Sequence, residues 1–262
     1  MKRALKTYLA KSLGKKSGKQ ILPATYDSLT ALKCRIWYNE YGGYCLPESS
    51  LHRSAARRIL SGDVYEPQTI EFMRNNCSAG DIVHAGTYFG DFLPGLSQAC
   101  SPGSRIWAFE PNPENFSCAQ ITVLINKLEN VTLRNAGLGS AEDVLRMRTK
   151  DEGGRGLGGK SRIVDPEEFD PALDEEVRIV KIDDSIDCNR PVSIIQLDVE
   201  DHEKAALTGA LDTIRRCLPI LILEVRRGSD LLGSEWFATN VLSLGYTQTG
   251  TLHNNTVFQC AS

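Results

Sequence analysis

IVHAGTYFGDF (82–92) decides how the chain is to be read. It runs as a buried strand into a turn that carries two glycines, Gly86 and Gly90, and then into a helix. Such a turn brings backbone N–H groups close to a nucleotide-shaped ligand, and the helix start beside it is electropositive. A dinucleotide fingerprint would read G-x-G-x-x-G, its middle glycine letting the pyrophosphate approach. Here Thr87, Tyr88 and Phe89 fill the span between the two glycines, which disfavours that approach. The pattern therefore points from NAD toward a nucleoside without phosphates, of which S-adenosyl-L-methionine is the common one. Glu110 ends the next strand, RIWAFE (105–110), where a carboxylate can accept both ribose hydroxyls. Its alternative use is to cap the following helix.

Outward from this unit, strand-like and helix-like segments alternate from about residue 81. The helix after the glycine turn is short or irregular because of Pro94 and Gly95, and PENFSCAQITVLINKL (113–128) is the next helix. VTLRNAGL (131–138) and an antiparallel excursion, VLRMRTK, precede a glycine-rich loop. VSIIQLDV (192–199) is apolar on both faces, as a central parallel strand must be. A helix over about 201–216, the strand PILILEV (219–225), a helix near 234–244 and an antiparallel pair, YTQTG with NTVFQC, complete the chain. The alternation predicts a doubly wound, mostly parallel α/β sheet over residues 67–262, with the ligand at the carboxyl ends of its strands. Residues 1–66 lack the alternation and read as a helical and loop extension.

Apolar content of 41% and charged content of 24% are ordinary for a globular protein. No apolar run approaches the ~20 residues of a membrane span, and lysines interrupt the N-terminus where a secretory signal would be apolar, so a cytoplasmic location is expected. The eight cysteines include no C-x-x-C pair, which points away from a zinc site or a disulfide framework. A net charge of −3 gives no reason to expect nucleic acid as a partner. Residues 1–20 are basic, with Leu5, Leu9 and Leu13 at helical spacing. A solvated terminus is the main reading, and a weak contact with an anionic membrane surface the second. The extension could also mediate self-association into a homo-oligomer.

FEPNPENF, NVTLRNAGLGS, VKIDDSI, IIQLDVEDHE and PILILEV, in this order over about residues 80–247, resemble the successive blocks of the FkbM family of S-adenosylmethionine-dependent methyltransferases. The resemblance implies a class I methyltransferase fold, seven strands with the last reversed, and methyl transfer to a hydroxyl of a sugar or glycosylated natural product. It implies a cofactor set of His84, Gly86, Thr87, Tyr88, Gly90, Glu110, Asn112, Asn135 and Ala136, with the turn on the methionine end and Glu110 on the ribose. Two positions depart from the family. His84 stands where an acid is expected, and DVEDHE replaces the commoner D-V-E-G.

Transfer to an alcohol needs a base, since the hydroxyl is a poor nucleophile until its proton is taken. Asp198 ends its strand facing the crevice, and His202, with the side chain whose ordinary pKa is nearest neutrality, is the candidate catalytic base. Asp198 would orient it, or hold the substrate or the methionine ammonium. Glu200, Glu224 and Arg226 border the same crevice as candidate substrate ligands. Asp198, His202 and Glu224 could together ligate a divalent cation, but no spacing motif supports a metal and none is assigned. Arg155, in the glycine-rich loop KDEGGRGLGGKSR (150–162), is a further substrate candidate if that loop closes as a lid; an inert linker is the alternative. Two other functions stay open at this level: an NAD-dependent oxidoreductase, and a non-catalytic scaffold with this fold.

Overall fold

The computed structural model describes residues 31–226 and 228–260. The basic stretch 1–20, with its expected helix and membrane contact, lies outside them. β1 (Cys34–Asn39) and β2 (Gly42–Pro47) form a hairpin, followed by α1 (Ser54–Leu60) and α2 (Pro67–Asn76). The nucleotide-type unit is β3 (Asp81–Ala85), α3 (Leu93–Ser97), β4 (Ile106–Phe109), α4 (Pro113–Ile125) and β5 (Val131–Arg134). β6 (Gly137–Leu138), β7 (Asp143–Arg148), β8 (Arg162–Val164) and β9 (Asp174–Val180) form a separate four-stranded sheet. Then come α5 (Ile182–Ser185), β10 (Val192–Leu197), α6 (Glu203–Thr208), α7 (Leu211–Cys217) and β11 (Ile220–Glu224). α8 (Glu235–Asn240), β12 (Tyr246–Leu252) and β13 (Asn255–Cys260) close the described chain.

The main sheet has seven strands in the order β12-β13-β11-β10-β3-β4-β5. β13 pairs antiparallel with both neighbours, and the remaining pairings are parallel. This is the architecture expected from the alternation, with the penultimate position in space taken by the reversed last strand. Strand order changes direction between β3 and β10, so the crevice that such sheets use for ligands opens where Gly86 follows β3 and Asp198 follows β10. β3 and β10 can lie at the centre because their side chains are mostly buried and apolar; Asp81 and Ser193 are polar at their starts, and His84 and Gln196 lie side by side in register further along.

Three expectations are corrected. Residues 34–47 were read as part of a helical extension, yet they form a hairpin closed at Glu40 and Tyr41. The β-branched and aromatic content of CRIWY, followed by a turn and Gly42 at φ 152°, favours strands over helix. The extension is also not separable at residue 66. Tyr44, Leu46, Ala56 and Ile59 are buried in one cluster with Ile82 and Ile106, and the backbone N–H of Cys45 donates to Thr122 Oγ1 on α4 at 3.0 Å. Further along, the helix expected over 201–216 is broken into α6 and α7 around Gly209, where a side chain would collide with the carbonyl of Gly139.

Candidate functional site

The glycine turn is shaped by what surrounds it. Gly86 has φ 81°, and a Cβ there would lie 2.0 Å from the carbonyl oxygen of Asp198, so only glycine lets β3 and β10 end side by side. The N–H groups of Gly86 and Thr87 both donate to the Phe109 carbonyl at 3.2 Å, and Tyr88, at φ 53°, turns its N–H onto Glu110 Oε2 at 2.7 Å. The turn thus spends its donors on β4 rather than offering them to phosphates, which is the physical content of the missing middle glycine. Thr87 and Gly90 serve this geometry. The Thr87 hydroxyl donates to the His84 carbonyl at 3.1 Å, and Gly90 has φ 83° beside Thr122 on α4.

Glu110 is 5% exposed, and burial pushes its carboxyl up to about 7. Oε1 accepts from the Asn112 N–H at 2.9 Å and Asn115 Nδ2 at 3.4 Å, so the head group is fixed, while Oε2 with its one N–H keeps capacity for a hydroxyl donor. It borders a pocket walled by Phe109, Leu138, Met147, Ile163 and Val199. Apolar walls next to one oriented carboxylate fit a purine base and its vicinal ribose hydroxyls. Gly137 keeps the slot narrow, since a Cβ there would sit 2.9 Å from Ile179 Cδ1.

A second cavity, of about 230 Å³, lies on the other side of Gly86 and Asp198. It is bordered by His52, Arg53, Tyr65, Glu66, His84, Asp91, Gln196 and Glu224, and shares Gly86, Asp198, Glu200 and Gly159 with the pocket. Within it, burial lowers the His84 imidazole to about 4 and keeps it neutral. Its Nδ1 meets Gln196 Oε1 at 2.5 Å, and the ring stacks on Phe92 with centroids 5.1 Å apart. With Gln196 Oε1 as the acceptor the proton would sit on Nδ1, and the buried Nε2 has no partner among the described residues. Burial and then the nearby Glu66 charge raise Asp91 to about 7. Asp198 is held well above the usual carboxylate range by burial first and the adjoining Glu224 carboxyl second.

Beyond Asp198 the chain takes a strained turn, with Glu200 at φ 51° and Asp201 at φ 75°. Arg226 clamps it, donating to Glu200 Oε2 at 2.8 Å and pairing with Asp201 at 2.6 Å. The turn carries His202 to the nucleoside pocket, away from Glu224. Its ring approaches Gly139, and burial lowers its pKa. The expected catalytic pair, His202 and Asp198, therefore borders one pocket together with Glu200, while Glu224 borders the second cavity. Asp198 and Glu200 touch both chambers.

Other expected ligands hold the frame. Asn112 caps α4, its Oδ1 accepting from the N–H groups of Glu114 at 3.0 Å and Asn115 at 3.3 Å. Asn135 donates to the carbonyls of Glu110 and Pro111, and Ala136 is buried in the core while Gly137 and Leu138 face the pocket. Arg155 is exposed, pairs with Asp151 at 2.9 Å and borders neither chamber. The glycine-rich loop is nevertheless placed over the site: Gly158 and Gly159 border the pocket, and Lys160 borders the cavity. Arg53 holds the loop through two donors on the Leu157 carbonyl. Sequence reading missed Tyr65, Glu66, Asp91 and Gln196. A glutamine set among Ile194, Ile195 and Leu197, opposite a histidine on the neighbouring strand, was the available signal for Gln196.

The family described as methyltransferase FkbM domain matches residues 84–239. Among solved structures, the chain is similar to methyltransferase FkbM from Methylobacillus flagellatus KT at 21% identity and a TM-score of 0.49, over 69% of this chain and 43% of that one. It is similar to a putative rRNA-methylase from Clostridium thermocellum at 10% identity and a TM-score of 0.44, over 74% and 95% of the two chains. A third similarity is to a Pyrococcus abyssi tRNA (uracil-54, C5)-methyltransferase in complex with S-adenosyl-L-homocysteine, at 10% identity and a TM-score of 0.43, over 86% and 43%. No curated protein matches the chain.

Proposed function

Because the chain belongs to the FkbM methyltransferase family, we propose that this S-adenosyl-L-methionine-dependent enzyme transfers its methyl group to oxygen, on a hydroxyl of a sugar or glycosylated natural product. The cofactor supplies a methyl already activated on a sulfonium sulfur. What the chain must add is alignment and a base.

Glu110 would fix the ribose, with Leu138 and Val199 against the base, and Gly86, which borders both pocket and cavity, would lie beside the sulfur. His84 and Asp91, which border the cavity, would receive the ammonium at the methionine end, standing in for the acid that His84 replaces. The observation that carries the reading is the place of Asp198. It borders both chambers, and burial with Glu224 raises its carboxyl toward the working range of a general base. An acceptor hydroxyl in the cavity would give its proton to the Asp198–Glu224 pair as the oxygen meets the methyl carbon.

The test is calorimetric titration with S-adenosyl-L-homocysteine, followed by methyl transfer assayed on a panel of sugars. The intact protein should bind, Glu110→Ala should weaken binding about tenfold or more, and Asp198→Asn should keep binding while losing about a hundredfold in turnover. Failure to bind, or a methyl group found on carbon, would refute the reading.

A further inference from the structure

The glycine-rich loop reads from sequence as a lid or as an inert linker, and its contacts go beyond those that joining β7 to β8 requires. Gly158 packs directly on the glycine turn. It has φ 59°, and a Cβ there would lie 2.6 Å from the Tyr88 hydroxyl oxygen and 2.9 Å from the ring carbon that bears it. Tyr88 has little room to yield. The residue is 6% exposed, and its hydroxyl donates to Ser50 Oγ at 2.7 Å. Its backbone is left-handed at φ 53°, a conformation that a bulky residue keeps only when its surroundings hold it there.

Three routes run from this one glycine to Glu110. Tyr88, against which Gly158 packs, gives its N–H to Glu110 Oε2 at 2.7 Å. The Gly158 carbonyl accepts from Asn115 Nδ2 at 3.5 Å, and the same amide donates to Glu110 Oε1 at 3.4 Å. That carbonyl also accepts from the Ser161 hydroxyl at 2.8 Å; the Ser161 oxygen accepts from Asn112 Nδ2 at 3.2 Å, and the Asn112 N–H reaches Glu110 Oε1 at 2.9 Å. The longer of these bonds are individually weak, and their convergence is what fixes the group. Both oxygens of one buried carboxyl are thus tied to one loop residue, and Gly158 itself borders the nucleoside pocket. Arg53 holds the preceding residue through the Leu157 carbonyl.

We propose that Gly158 is the joint through which the loop positions Glu110 for the ribose of the cofactor, with Tyr88 and Asn115 as the positioning residues that transmit the contact. The inference rests on the reading of Glu110 as the ribose ligand and adds the loop to that site. The loop then borders the pocket and also orients the carboxyl that the nucleoside meets there. None of these groups touches the reacting atoms, so they act on cofactor binding and not on the methyl transfer itself.

The experiment titrates S-adenosyl-L-homocysteine by calorimetry into the full chain and into Gly158→Ala, Gly154→Ala, Tyr88→Phe, Glu110→Ala and the Gly158→Ala/Glu110→Ala double variant. Gly154 lies in the same loop with φ 74° and open space around it, so its variant carries the conformational cost of alanine without the collision. Gly158→Ala should weaken binding about tenfold, Tyr88→Phe about threefold and Gly154→Ala less than about twofold. Because Gly158 acts through Glu110, adding Gly158→Ala to Glu110→Ala should cost no more than about twofold beyond Glu110→Ala alone, an outcome that a separate structural role would not give. Additive losses in the double variant, equal losses from the two glycine variants, or parent affinity in Tyr88→Phe would overturn the coupling and leave the ribose reading intact. Parent affinity in Glu110→Ala, or no binding to the unmodified chain, would bring down both.

Discussion

His84 and Gln196 are register partners on β3 and β10, joined Nδ1 to Oε1 at 2.5 Å in a wholly buried position. With the Gln196 carbonyl as acceptor, Nδ1 is the expected site of the proton, and burial disfavours the charged ring. Nitrogen NMR of the imidazole should therefore report a neutral, Nδ1-protonated ring from pH 8 down to about 5, with titration only near 4. A midpoint near the ordinary histidine value would contradict the placement.

Replacing Gly86 by alanine should be far more damaging than replacing Gly62, although both have positive φ. Gly62 has open space around its Cα, so alanine there costs only the conformational term, about 1 kcal/mol. At Gly86 the new methyl meets the Asp198 backbone as well, and about 3 kcal/mol or more should be lost. Urea unfolding of the two variants provides the comparison, and equal losses would be evidence against the close packing of β3 on β10.

Asp201 occupies a left-handed conformation where the family's usual residue is glycine. Asp201→Gly removes that strain, about 1 kcal/mol for a residue type that tolerates it best, at the expense of one half-exposed pair with Arg226 worth a few tenths. Net stabilisation of about 0.5 kcal/mol by chemical denaturation is expected, together with lower turnover if the Arg226 clamp orients Glu200.

Asp91 sets the sign of one pH effect. Its folded pKa, about 7, lies above its ordinary value of 3.8, so the folded state holds the proton more tightly. The stability linked to it is fully present below pH 3.8 and is lost as pH rises toward 7, on the order of 1 kcal/mol per pH unit. His84 contributes oppositely, its lowered pKa removing stability as pH falls from 6.5 toward 4. Comparison with Asp91→Asn isolates the first effect: between pH 5 and 7 the variant should gain stability relative to the parent. A constant difference across that range would show that Asp91 is not held neutral.

The parallel sheet was legible because its strands have to be apolar on both faces, and VSIIQL and ILILE meet that demand without help from context. Glu110 was legible because its job depends on position after β4. The hairpin was not, since residues 34–47 gain much of their burial from α4, eighty residues away, as Gly43 donating to Asn126 illustrates. His202 stands at the N-cap of α6, near where the spacing put it, but the path to it from Asp198 was not legible for a local reason. A helical spacing from Asp198 presumes regular backbone, and two successive left-handed residues break it. Asp91 and Glu66 escaped notice because ordinary acids in turns look solvated until the fold closes over them.

The roof of the site is fastened from the far end of the chain. Tyr88, which anchors the glycine turn, donates its hydroxyl to Ser50 at 2.7 Å, and Arg53 grips the loop at Leu157. A fragment cut at residue 67 would keep every strand of the main sheet yet leave Tyr88 without its partner, Leu157 without its clasp and the core open where Tyr44 and Leu46 had filled it. The unit that folds cooperatively is therefore wider than the unit that carries the recognisable blocks, and proteolysis should fail to release the smaller one intact.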